Sequence, residues 1–135
     1  AIPLSTVRRV VPELIANGRY RHPWLGALGY SLTPELADSL NLPVSKGVLI
    51  ARIYQGSPAA QGGLRGATRE VIIGNKRLYA GGDILVEIDG VPIPSNDYLY
   101  QYLETKTHVG QEITIKYYRG DQLLTTKVRL TESNG

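Results

Sequence analysis

The sequence predicts one α+β domain, in which a small and mainly antiparallel β-sheet is covered by two or three short helices. Its length of 135 residues is typical of a single domain. Short runs in which apolar and polar residues alternate are separated by glycine-containing turns, a pattern typical of β-hairpins. Between these runs lie short segments that have helix caps and the apolar spacing of amphipathic helices.

Four segments carry helix signatures, and in chain order they are residues 5–17, 34–43, 57–64 and 95–105. The first has the spacing of an amphipathic helix, and Pro12 predicts a kink or a break within it. Thr33 precedes the second segment as its N-cap, and Ser95 is the N-cap at the start of the fourth. In the third segment Ser57 is the cap, Pro58 takes the first helical position and a glycine ends the helix.

Strand signatures occupy residues 47–53, 70–80, 84–88 and 112–130. The first of these runs is apolar and β-branched, which predicts a mostly buried strand. Gly74 and Asn75 separate two strand-like runs, and a glycine in the first loop position favours a type II′ hairpin. In the third run, alternate residues from Ile84 onward are expected to share one face. Further turns are predicted at residues 89–90 and 119–121.

The composition excludes several classes of site and partner. The chain has no cysteine, which rules out disulfides, thiolate zinc sites and thiol nucleophiles. Its net charge of +3 comes from acids and bases spread along the chain, so we do not expect nucleic acid as a partner. No apolar run approaches the ~20 residues of a membrane span. Because the chain has no methionine and opens without a signal peptide, we interpret it as a fragment or a processed mature chain.

No residue pattern predicts catalysis by this chain alone, and no cofactor or metal ion is expected. His22 and His108 lack the spacing of a metal pair and the surroundings of a nucleophile motif. Neither a hydrolase nucleophile elbow nor a phosphate-binding loop is present in the sequence. Asp83 and Glu87 are not spaced like an EF-hand loop, and Asp89 is explained by its turn.

The segment 21–34, RHPWLGALGYSLTP, combines apolar side chains with permissive backbone. Trp24 and Leu28 are too apolar for an ordinary surface turn, whereas Gly26 and Gly29 would weaken a buried strand. Free N–H groups in a glycine-containing loop can hold an anion, and apolar neighbours suit a carboxylate that is attached to an apolar residue.

The C-terminus of another protein is such a ligand, and it can also extend a sheet edge as an added strand. We therefore expect residues 27–31 to form that edge and the helix at 95–105 to close the other side of a groove.

Residues 21–130 resemble a PDZ domain of the bacterial, permuted type. The motifs that carry the resemblance are Trp24–Ala27, Ser57–Leu64, Gly82–Gly90 and Gly110–Gly120. They match, in order, the family's carboxylate-binding loop, its SPAAxAGL helix, its GDxIxxIxG strand and turn, and its last strand. The resemblance implies a small antiparallel β-sandwich or barrel capped by two or three helices, which binds peptides and performs no chemistry itself.

The first 26 residues resemble the exit from the protease domain of HtrA/Deg-type, trypsin-like serine proteases. The implied layout is a protease end and linker helix at 1–20, a PDZ domain at 21–131 and a tail at 132–135. The catalytic triad would then lie upstream of this chain. The family also implies a parent that forms a trimer or higher homo-oligomer in the periplasm or cell envelope, with any membrane anchor in the region before the chain.

The resemblance assigns the parts of a peptide groove residue by residue. The carboxylate loop is Trp24, Leu25, Gly26 and Ala27, and the strand that pairs with the peptide is Ala27, Leu28, Gly29 and Tyr30. The pocket for the last side chain is lined by Leu25, Leu99 and Leu103, with Tyr102 at its edge. Arg21 or Arg19, just upstream of the loop, assists in binding the carboxylate.

Two features depart from the family pattern. Ala27 is smaller than the usual isoleucine or valine, which would widen the pocket. The segment 65–81 is longer than the usual link, and we interpret it as an inserted hairpin, either solvated or a contact surface for a partner or sister subunit.

The predicted function is capture of exposed apolar C-termini of misfolded, substrate or regulator proteins. The groove would present them to the upstream protease domain, or activate that domain, in protein quality control. Two alternatives stay open. One is the PDZ domain of another protease class, and the other is an assembly module that works through the hairpin at 65–81 and leaves the groove unused.

Overall fold

The structure is a computed structural model that describes residues 22–132, so the predicted linker helix at 5–17 lies outside the described residues. In this part of the chain the helices are α1 (Pro34–Ser39), α2 (Pro58–Gln61) and α3 (Asn96–Lys106). The strands are β1 (Pro23–Trp24), β2 (Ala27–Ser31), β3 (Val48–Ile53), β4 (Arg69–Ile73), β5 (Lys76–Ala80), β6 (Ile84–Ile88), β7 (Val91–Pro92), β8 (Glu112–Arg119), β9 (Gln122–Arg129) and β10 (Thr131–Glu132).

A central sheet organises the domain. Its strands follow the order β2-β3-β6-β8-β9, and the short β7 pairs with β6. Two smaller pairs, β1 with β10 and β4 with β5, complete the described strands. Every strand pair among residues 22–132 is antiparallel, which confirms the predicted α+β fold with an antiparallel sheet.

The three predicted N-caps within the described residues start the three helices. The hydroxyl groups of Thr33, Ser57 and Ser95 each accept a hydrogen bond of 3.1 Å from the backbone N–H three residues further on. Prolines follow the first two caps, at a position where the missing N–H is not needed. Local sequence therefore sets where each helix begins.

Two predicted turns adopt the backbone that their sequences favour. Gly74 has a φ of +63° and Asn75 has no positive φ, as a type II′ turn between β4 and β5 requires. In the turn between β6 and β7, Asp89 and Gly90 have φ values of +49° and +83°. Positive φ at both central residues is typical of a type I′ turn.

Apolar side chains form two cores on the two faces of the sheet. In β3, Val48 and Ile50 belong to the main core, whereas Leu49 between them belongs to the second core. The main core is covered by α2 and α3, and the second core by α1 and the inner face of the β4–β5 hairpin. Helix and sheet residues of the main core also form the floor of the candidate site.

The alternation that we predicted for β6 is wrong. The register against β8 shifts between Leu85 and Glu87, as at a β-bulge. Leu85 and Ile88 therefore both reach the main core, whereas Ile84 packs in the second core.

A buried ion pair joins the start of β6 to the end of β8. Asp83 is 1% exposed, and Arg119 donates two hydrogen bonds to its carboxylate, from Nε at 3.0 Å and from Nη2 at 2.9 Å. The backbone N–H of Arg65 donates a third bond to this carboxylate, at 2.9 Å. The hydrogen bond with Asp83 raises the pKa of Arg119 above its ordinary value. Asp83 thus has a structural role, which the sequence analysis did not assign to it.

Candidate functional site

The loop 24–27 takes a conformation that requires glycine at its third position. Gly26 has a φ of +84°, and a Cβ atom built on it would lie 2.1 Å from the Cβ of Ser57. Ser57 is the fully buried N-cap of α2. Two sequence motifs that are about 30 residues apart in the chain are therefore in direct contact, with no room for a side chain between them.

Two carbonyl groups of this loop, those of Leu25 and Gly26, are bonded within the protein, whereas the N–H groups of the same two residues are not. The Leu25 carbonyl accepts a hydrogen bond from the N–H of Ala59, and the Gly26 carbonyl accepts one from the N–H of Tyr54, each at 2.9 Å. Among residues 22–132, the N–H groups of Leu25 and Gly26 have no hydrogen-bond partner. Adjacent unpaired N–H groups form a nest that suits an anion.

The sheet edge begins directly after this nest. β2 pairs with β3 on one side, and no other strand of the described residues pairs with it. Gly29 allows close approach of β3, because a Cβ at this position would lie 2.7 Å from the Leu49 carbonyl oxygen. At the far end of the edge, the backbone N–H of Asn96 in α3 donates a hydrogen bond of 2.9 Å to Ser31 Oγ. The space between β2 and α3 is a groove that runs along this open sheet edge.

A cavity of about 170 Å³ opens where the groove meets the loop. Its walls are Pro23, Trp24, Leu25, Gly26, Ala27, Leu28, Tyr54, Leu99, Tyr100, Leu103 and Glu104. The structure thus brings together the predicted site residues Trp24, Leu25, Gly26, Ala27, Leu28, Leu99 and Leu103. Three of these walls, Leu25, Leu99 and Leu103, are also buried in the main core, so that the floor of the cavity is continuous with the core.

The remaining predicted site residues lie elsewhere. Gly29 and Tyr30 continue β2 beyond the cavity, and the Tyr30 hydroxyl donates a hydrogen bond to the backbone carbonyl of Tyr79. Arg21 is outside the described residues.

Tyr102 does not stand at the edge of this cavity as we had expected. It lines a separate cavity of about 400 Å³ together with Val91. The reason is helical geometry, since Tyr102 precedes Leu103 by one residue and is rotated about 100° away around α3. Burial raises the pKa of Tyr102, and the nearby charges of Asp89 and Tyr98 add to this effect.

Sequence reasoning missed Pro23, Tyr54, Tyr100 and Glu104 as walls of the cavity. Tyr100 and Glu104 lie next to the leucine stripe of α3, on the side opposite to Tyr102, and helical spacing alone fits either side. Tyr54 reaches the loop only through the pairing of β2 with β3. No pattern within its own segment indicates that pairing.

Charged and aromatic groups line the rim of the cavity. On the helix side, His22 Nδ1 lies 2.8 Å from Glu104 Oε1. On the sheet side, the ring centroids of Trp24 and Tyr54 are 5.8 Å apart. The Arg52 guanidinium carbon lies 5.2 Å from the Tyr54 ring centroid, in cation–π range.

Two findings on the described residues bear on other kinds of site. Within residues 22–132, no group of three or more His, Asp or Glu side chains is placed to hold a metal ion. In the same part of the chain, no helix has the length and apolar character to cross a membrane.

An antiparallel sheet edge, a glycine nest at its start and a helix alongside define a small α+β domain with a peptide-type groove. The chain belongs to the PDZ domain family, whose model matches residues 26–130. Its relatives place it with the PDZ region of HtrA and DegP serine proteases, which confirms the resemblance found in the sequence.

Three similar proteins illustrate this relationship. The putative serine protease HhoB of Synechocystis sp. is 32% identical over 130 residues, which cover 90% of this chain and 27% of that protein. A probable periplasmic serine endoprotease, DegP-like, of Marinomonas sp. is 31% identical, over 96% of this chain and 24% of that protein. The solved structure of the HtrA-type protease AlgW with a decapeptide has a TM-score of 0.71 and 27% identity, over 100% of this chain and 37% of that chain. The chain thus spans only 24% to 37% of the length of these proteases.

Proposed function

We propose that this chain is the peptide-binding domain of an HtrA-like serine protease and that its groove captures exposed apolar C-termini. The observation that carries the proposal is the loop 24–27, where two unpaired backbone N–H groups open beside an apolar cavity. A chain terminus with a carboxylate and an apolar side chain matches both features.

The ligand binds in three ways at once. Its terminal carboxylate accepts hydrogen bonds from the N–H groups of Leu25 and Gly26. Its last side chain enters the cavity, where the small Ala27 leaves room for a large apolar group. Its backbone pairs with β2 as an added antiparallel strand, which is a recurring mode of peptide recognition.

Calorimetric titration with short peptides that end in an apolar residue tests this proposal. We expect binding in the micromolar range with a free carboxylate, and a loss of at least about tenfold when the same peptide is amidated, since the nest then has no anion to bind. Equal affinity for free and amidated peptides would rule out the carboxylate role of the loop.

A pair of buried valine and leucine positions provides a matched control. Leu103→Ala removes a wall of the cavity, whereas Val128→Ala shortens an equally buried side chain that does not line it. Both variants lose stability through their cavities, by about 1–4 kcal/mol. Only Leu103→Ala is expected to weaken peptide binding by about tenfold or more.

The cellular role of the parent protein is a further part of the proposal. The domain would deliver misfolded proteins to an upstream protease domain, or relay groove occupancy to it, in a homo-oligomer of three or more subunits outside the cytoplasm. The similarity to a relative described as periplasmic supports this location. If peptide stimulation of the full-length protease persisted after deletion of this domain, the relay would be excluded.

Assembly through the hairpin is a second candidate function, favoured by one observation. On the outer face of the β4–β5 hairpin, Ile72 is 73% exposed and Tyr79 is 48% exposed. Sedimentation of the full-length protein with and without residues 69–80 tests this role. An unchanged oligomeric state after deletion would remove it.

A further inference from the structure

The outer face of the sheet beside the groove carries an arginine that the proposed function has not used, next to three side chains that also form walls of the cavity. Leu28, which is 45% exposed, is paired across the strands with Arg52. Tyr54 follows Arg52 on the same face, and its ring contacts both the Arg52 guanidinium and the ring of Trp24. We call these four residues, Trp24, Leu28, Arg52 and Tyr54, the outer shelf.

Strand geometry decides which ligand side chain meets the outer shelf. With its carboxylate in the nest, the last residue of the ligand lies beside Ala27 and the penultimate residue beside Leu28. Side chains alternate between the two faces of a sheet. Because the last side chain enters the cavity, the penultimate side chain must extend over the outer shelf. Two strand spacings, about 10 Å, separate its backbone from that of Arg52.

Arg52 is the charged member of the outer shelf, and its charge is not compensated within the described residues. The ion pairs among residues 22–132 involve His22, Arg77, Lys116 and Arg119, but not Arg52. Its one described side-chain interaction is with the Tyr54 ring, which holds the guanidinium in place and leaves its N–H edge available. Such a group suits the fork-like binding of a carboxylate.

We propose that Arg52 makes the groove select C-termini whose penultimate residue is acidic. This inference rests on the proposed function, because it requires a ligand anchored in the nest. It adds a preference by charge at the second residue to the apolar preference at the last one. Affinity that does not depend on the penultimate charge is the competing outcome of the test.

The experiment uses three peptides that are identical except for Glu, Gln or Lys at the penultimate position. With the wild-type chain we expect the Glu peptide to bind about three- to tenfold more tightly than the Lys peptide, in low salt. The difference should shrink in high salt, because the pair is exposed. In Arg52→Glu the order should reverse, and in Arg52→Gln the three affinities should converge.

Lys127→Glu is the matched control. Lys127 is exposed on β9, at the opposite edge of the central sheet from β2, so the variant makes the same change in net charge far from the groove. It should retain the wild-type order of the three peptides. An order that follows net charge equally in both variants would overturn the role of Arg52.

The outcomes separate this inference from the proposed function. If the peptides bind only with a free carboxylate but show no dependence on the penultimate charge, the selection by Arg52 is overturned and the groove assignment stands. If no peptide binds at all, the groove assignment itself is overturned, and the inference is lost with it.

Discussion

The loop 24–27 and the β4–β5 hairpin each contain a glycine with a positive φ, but the two glycines are constrained very differently. At Gly26, φ is +84° and a Cβ atom would overlap Ser57 of another element. At Gly74, φ is +63° and a Cβ atom would meet nothing within 4 Å. The loop is therefore fixed by its backbone conformation and by tertiary contact, whereas the hairpin turn is fixed by its conformation alone.

The loop and the hairpin also differ in how deeply their side chains are buried. The loop lies against α2 and the main core, and Leu25 within it is 3% exposed. The hairpin packs one face against the second core and leaves Ile72 on its other face 73% exposed. A substitution is thus expected to cost much more in the loop than at the outer face of the hairpin.

The largest effect is expected for Gly26→Ala. We expect a loss of about 3 kcal/mol in the free energy of unfolding, since both the positive φ and the contact with Ser57 oppose a side chain. Gly74→Ala shares only the first penalty and should lose about 1 kcal/mol. Urea unfolding of both variants measures the difference. Equal losses in the free energy of unfolding would show that the close contact with Ser57 does not contribute to the cost of the substitution.

An intermediate effect is expected at alkaline pH from two tyrosines, Tyr30 in β2, which is bonded to the hairpin, and Tyr102 in α3. Burial raises the pKa of Tyr30, with an opposing effect of its hydrogen bond to Tyr79, and burial also raises the pKa of Tyr102 in α3. The unfolded chain therefore loses these protons first, at a pH of about 10. Their contribution to stability is complete below that pH and is lost as the pH rises through the folded pKa values.

Urea unfolding from about pH 8 to about pH 11 checks this pH dependence. Tyr30→Phe and Tyr102→Phe should each make the alkaline decline in stability shallower, because phenylalanine has no proton to lose. A decline as steep as that of the wild type in both variants would assign it to other groups.

The smallest effect is expected for Ile72→Thr in the hairpin. Threonine suits a strand, and the replaced side chain is mostly in solvent, so the free energy of unfolding should change by less than about 0.5 kcal/mol. Leu78→Thr, on the inner face in contact with the second core, is the matched comparison and should lose about 1–2 kcal/mol. Similar losses in thermal or urea unfolding would mean that the outer face is covered by a partner.

Local signals predicted much of the fold. The sequence predicted three helix caps and one turn, because each depends only on neighbouring residues. These are the caps at Thr33, Ser57 and Ser95 and the turn at Gly74. The two-residue pairing of β1 with β10 was not predicted, since it joins residues more than 100 positions apart. The bulge at Leu85 was missed because the uninterrupted apolar run around it fits either face.

In the candidate site, too, the sequence predicted the parts that depend on local residues and missed those that depend on strand pairing. Its loop and the leucines of α3 followed from the motifs and from helical spacing. Tyr54 and Arg52 did not, because their place beside the loop depends on the register of β3 against β2. Tyr102, which was expected at the edge of the pocket, lines the neighbouring cavity, since spacing along a helix identifies a stripe but not which neighbour flanks the cavity.

Helix α3 is bonded near both of its ends, to Ser31 at the end of β2 and to His22 just before β1. The N–H of Asn96 binds Ser31 Oγ at 2.9 Å, and Glu104 lies 2.8 Å from His22. The distance between the groove walls is therefore set before any ligand arrives, and little ordering is left for the binding step. In kinetic terms, peptides should associate at the ordinary rate of about 10⁵–10⁷ M⁻¹ s⁻¹, and differences in their affinity should appear as differences in the lifetime of the complex.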